Sequence, residues 1–199
     1  MVAAGSVAED PPRWVAMPDA TRLAAGYLIA WRAWTVWEHA GALSLRSFAF
    51  TLDPANTWPA RQPYVARCRF RRPHVAPVRS CSCGIYGYAR LSSLLGDQHC
   101  LPHRLMGDTP TSTASGLDFR GHRYRGVVVG RVALWGHVIE HEGGYRAQYA
   151  YPQLVYATCL SGEQRAALAS AYGIEVYHVP LSALRKLSMT APPARYVPS

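Results

Sequence analysis

The sequence predicts an α+β fold: a bent antiparallel β-sheet, or partly open barrel, built around one long hairpin, with a strand-helix-strand unit near the C-terminus. Three observations carry this. Residues 127–152, VVVGRVALWGHVIEHEGGYRAQYAYP, are the longest run with strand character, and Gly143-Gly144 supply a turn signal near its middle. Residues 26–37, GYLIAWRAWTVW, and 44–50, SLRSFAF, read as a second hairpin across Gly41. The segment after 152 alternates strand, helix and strand signals.

Taken in order, residues 1–18 hold Pro11, Pro12 and Pro18 and few core formers, so they read as a flexible arm. A single domain is expected over 19–190, and a proline-rich tail over 191–199. The first hairpin is followed by a proline-broken loop at 52–64 and a short strand at 65–71. Residues 81–96, CSCGIYGYARLSSLLG, read as a strand leading into a short helix at 91–95. Residues 107–121 are turn formers without periodicity and read as a surface loop.

In the central hairpin successive side chains face opposite ways. Val128, Val132, Leu134 and Val138 share one parity and are the expected core face. The other parity mixes Val127, Val129, Arg131, Trp135, His137 and His141, as expected where a sheet is wetted on one side. Gly136 is a candidate register shift, and Pro152, which has no N–H, is expected to end the pairing or to lie at an edge. Beyond it, 154–159 is a strand, and Ser161 with Gln164 forms a capping box for a helix that ends at Gly173. Residues 175–179 are a strand expected to pair in parallel with 154–159, and Leu181, Leu184 and Leu187 mark a short amphipathic helix.

At 199 residues and 49% hydrophobic residues the chain can build one real core. No run of about 18 apolar residues occurs, so no membrane partner is expected. The N-terminus lacks the basic and apolar regions of a secretory signal, so a cytoplasmic setting is expected. In that setting the five cysteines read as thiols or metal ligands rather than as a disulfide framework. The net charge is +9, and all basic residues but Lys186 are arginines, whose guanidinium forks suit phosphate and carboxylate.

Three constellations can carry chemistry. No acidic residue lies between Asp53 and Asp97, a span that holds Arg61, Arg67, Arg69, Arg71, Arg72, Arg79 and Arg90 interleaved with Tyr86 and Tyr88, and Arg123 and Arg125 add a second cluster. Arginines neutralise phosphates and aromatic faces stack on bases, so the set reads as a nucleic-acid-binding face; the plain alternative is a solvated surface. Cys81-x-Cys83 and Cys100-x-x-His103 are two short ligand pairs, the way zinc's four donors are usually delivered, with Cys68 and His74 as possible substitutes. Buried cysteines acting as small hydrophobes are the alternative there. Finally, His137-Val-Ile-Glu140-His141 matches the H-x-x-E-H of inverted zinc proteases, which works only on a helix; the flanks read as strands, and the plain reading is a polar hairpin end with Glu140 and Glu142 near Arg131 or Arg146.

CSCGIYGYA (81–89) and GRVALWGHVIEHEGGYRAQYAYP (130–152) together resemble a family of proteins from high-GC bacteria and their phages that has no established activity. The resemblance spans residues 26–157 and implies a bacterial or phage cytoplasmic setting, with no catalytic residues. From the arginine-rich face at 61–90, the expected function is a non-enzymatic basic module that binds nucleic acid. An adaptor contacting acidic protein surfaces and a zinc-dependent enzyme are the alternatives.

Overall fold

The computed structural model describes residues 26–47, 56–68, 74–97, 118–119 and 121–198. It is a mixed α+β fold with a large, mostly antiparallel sheet. Its strands are β1 (Tyr27–His39), β2 (Ala42–Arg46), β3 (Tyr64–Val65), β4 (Ile85–Tyr88), β5 (Asp118–Phe119), β6 (His122–His141), β7 (Gly144–Ala157), β8 (Glu175–His178) and β9 (Arg195–Val197). Its helices are α1 (Leu91–Gly96), α2 (Gly162–Tyr172) and α3 (Leu181–Thr190).

β6 lies at the centre. β1 runs antiparallel along one side of it and β7 along the other. The outer edge of β1 carries β2, β4 and β9, and the outer edge of β7 carries β4, β3 and β8. β4 touches both β1 and β7, so the sheet is partly ringed without being a true barrel.

The long hairpin is as expected, with Leu134 fully buried opposite Ala150. Its register differs in detail. Val128–Trp135 face Ala157–Tyr149, and Val138–His141 face Ala147–Gly144. The slip falls at Gly136, whose φ of +75° is a conformation that glycine adopts without strain. Pro152 does not end the pairing. β7 runs through it to Ala157, with a second irregularity between Arg131 and Val132 that absorbs the missing donor. The segments read as separate strands before and after Pro152 are therefore one.

The wetted face expected for the hairpin is the main correction. Val127 to Trp135 are buried without a break. On one face Val128, Val132 and Leu134 pack with Trp34, Trp58 and, from α2, Leu168 and Tyr172. On the other Val127, Val129 and Tyr124 pack with Trp31, with Leu91 and Leu94 of α1, and with Leu184 of α3. Helices thus cover both faces, and an uninterrupted apolar run is what a doubly covered strand needs. Each large side chain so enclosed contributes about 1.5–3 kcal/mol.

The first hairpin turns at Ala40-Gly41, both at positive φ. The capping box of α2 is complete, and Gly173 closes the helix at φ +63°. β8 then pairs in parallel with β7, Leu154 opposite Glu175 and Ala157 opposite His178, as the strand-helix-strand reading expects. Arg195–Val197, within the stretch read as a tail, form β9 against Tyr27–Ile29. No helix of the described residues is long and apolar enough to cross a membrane.

Candidate metal centre

The sheet contacts on β7 that end with Ala66 resume at Ile85 at nearly the same place. β3 pairs with Ala150 and Tyr149, and Ala66 N–H continues the ladder by donating to Gln148 O (2.8 Å). β4 resumes it with Ile85 opposite Ala147. The end of one short strand therefore abuts the start of the next. Cys68 follows the first, and Cys81 and Cys83 precede the second.

His74 completes the group. One ligand atom from each of Cys68, His74, Cys81 and Cys83 lies within 4.8 Å of all the others. Cys68 Sγ stands 3.8 Å from Cys81 Sγ, and His74 Nε2 stands 3.1 Å from Cys83 Sγ. A zinc tetrahedron with bonds of about 2.3 Å to sulfur has sulfur–sulfur edges of about 3.8 Å. The three cysteines are free thiols, Cys83 is buried, and burial pushes its thiol up from the ordinary value. The set can hold a metal ion of zinc's size and softness.

Cys81 and Cys83 thus belong to the cluster expected from sequence, and their partners are Cys68 and His74. Cys100 and His103 lie outside the described residues. The C-x-C pair was visible in the chain. Cys68 and His74 read there only as substitutes for Cys100 and His103, because a thirteen-residue separation between Cys68 and Cys81 resembles no short ligand pair until β3 and β4 are seen to share one partner strand.

Arg146 of β7 was missed as part of this site. Its guanidinium donates to Cys81 O and to Cys83 O, the latter at 3.0 Å, and its side chain is 8% exposed. It turns to these carbonyls rather than to Glu140 or Glu142, and it lies over the ring of Tyr86 (5.9 Å to the centroid). Beside the cluster an open cleft of about 420 Å³ is lined by Arg79, Ser80, Cys81, Ser82, Tyr86, His141 and Arg146. The Tyr86 hydroxyl donates to Ser82 O (2.5 Å), and its ring meets His141 edge-on. His137–His141 lie in β6, so the helix that an H-x-x-E-H protease motif requires is absent there.

The residues of the predicted basic face differ in exposure and in partners. Arg67, Arg79 and Arg90 are exposed, and Tyr86 is 37% exposed. Arg61 is exposed but donates to Ser170 O (2.8 Å) beside α2. Tyr88 is half-buried in the second core cluster and donates to Asp97. Arg123 is exposed on β6, while Arg125 is paired with Glu38 at 2.5 Å. Arg69, Arg71 and Arg72 lie outside the described residues.

Fold and cluster together define an α+β protein with a cysteine-histidine centre set on the edge of its sheet. No family model, curated protein or solved structure matches the chain.

Proposed function

We propose that the protein is a non-enzymatic basic binding module, stapled by one structural zinc, whose partner is nucleic acid. The observation that carries this reading is the convergence of Cys68, His74, Cys81 and Cys83 beside an arginine- and tyrosine-lined cleft. Four protein donors leave zinc no open position, which suits a structural role and not a catalytic one. The metal would hold the loop that presents Arg79, Ser80 and Ser82. Arginine then meets phosphate, and the exposed ring of Tyr86 offers a stacking face for a base.

The purified chain is expected to carry about one zinc by elemental analysis. Cys83→Ser is expected to lose it and to lower the melting temperature, and a chelator is expected to do the same to the unaltered protein. Binding of labelled single- and double-stranded oligonucleotides is then measured across a salt series. Removing charge at Arg67, Arg79 and Arg90 weakens binding to all sequences alike and lowers the salt slope by about one per lost phosphate contact. Tyr86→Ala costs about 1–3 kcal/mol on single strands and little on duplex. No binding tighter than about 100 μM at low salt would remove nucleic acid as the partner. The same arginines would then be assigned to acidic protein surfaces.

A further inference from the structure

We infer that Arg146 is the counter-ion and positioning residue of the metal centre, an assignment that rests on the zinc reading above. A buried guanidinium is costly unless an opposite charge meets it. Arg146 is 8% exposed and makes no ion pair among the described residues, whereas the partly exposed Arg125 has its carboxylate, Glu38. What Arg146 does have is two carbonyl oxygens, those of Cys81 and Cys83, and both belong to residues of the ligand set.

The charge balance explains the placement. Zinc with three thiolates and one neutral imidazole carries one net negative charge. Loading the site releases the thiol protons to solvent and leaves that charge beside the sheet. Arg146 sits where it is compensated, on the backbone of two of the three cysteines. Its hydrogen bonds also fix the orientation of those two residues relative to β7. Outer contacts of this kind orient metal ligands, and their loss costs about 10–100-fold in metal affinity. Arg146 thereby ties Cys81 and Cys83 to the central hairpin, because it stands opposite Tyr86 of β4 on one side and Ile139 of β6 on the other.

The test compares the full chain with Arg146→Gln, Arg146→Lys and Arg125→Gln. Zinc affinity is measured by competition with a chromophoric chelator, and cobalt substitution reports the thiolate coordination by its absorption. Arg146→Gln is expected to keep the stoichiometry and lose about 10–100-fold in affinity. Arg146→Lys keeps the charge, loses the two-pronged contact and is expected to fall between. Arg125→Gln, whose pair lies on β1 and β6, is expected to match the unaltered chain. A purely structural role would lower the melting temperature of metal-free and loaded protein alike and leave zinc affinity where it was. Zinc affinity of either folded Arg146 variant equal to that of the unaltered chain overturns the assignment. A chain that binds no zinc at all overturns the metal reading beneath it, which is a different result.

Discussion

Tyr172 shows how much one hydroxyl can join. It accepts from Leu45 N (2.9 Å) and donates to Trp58 O (2.8 Å), while its own carbonyl accepts from the Tyr151 hydroxyl (2.7 Å). Tyr151 accepts in turn from Arg61 N–H (2.8 Å). Burial pushes the Tyr172 phenol up to about 12 from its ordinary value of 10. The fold thus favours the neutral phenol. Its contribution to stability is intact below about pH 10 and is lost as pH rises towards 12. Tyr172→Phe is expected to cost about 1–3 kcal/mol at pH 7, because a buried N–H and a buried C=O lose their partner. Denaturant titrations across pH 9–12 check the second half: the variant is expected to lose stability less steeply with pH there. Nothing in the residues around Tyr172 marked this role, since the contacts come from Leu45 and Trp58, far away in sequence. The capping Ser161 and Gln164, by contrast, were fully legible, because both partners of that interaction lie within one helical turn.

At the scale of elements, local signals read well and coverage did not. The hairpin turn, found at Glu142-Gly143 one residue before the Gly143-Gly144 signal, the slip at Gly136, the parallel β7–β8 pair and the α3 helix all follow from residues within a short window. What a window cannot contain is the return of α1 and α3 over the second face of β6. Alternation was therefore read as one wetted face of mixed residues, although Trp135 and Val129 on it are buried. The continuation of β7 through Pro152 was hidden for a related reason: a proline is tolerated at a bulge, and the bulge at Gln153 shows only once β7 is laid against Arg131 and Val132 of β6. Leu134 is the natural probe of the element. It is fully buried and touches the position of Gly87, where an added Cβ would stand 2.9 Å from it. Leu134→Ala is expected to destabilise by about 2–5 kcal/mol in urea unfolding, with little change in the denaturant slope.

For the whole molecule, the fold class was within reach of the sequence and the site only half so. Strand propensity and turn residues announce a bent antiparallel sheet, whereas the metal cluster depends on where two short strands land on a third. The topology also sets an order of events during synthesis. β1 is made early, yet its partners β6 and β9 come much later, with Leu28 opposite Leu134 and Ile29 opposite Arg195. The hairpin of β6 and β7 closes locally, so it can form as soon as both strands leave the ribosome. Until then Trp31 and Trp34, both buried in the finished sheet, face water on a strand whose long partner does not yet exist. A chain in that state combines an unpaired strand edge with large apolar side chains, the two features from which association between unfinished chains starts.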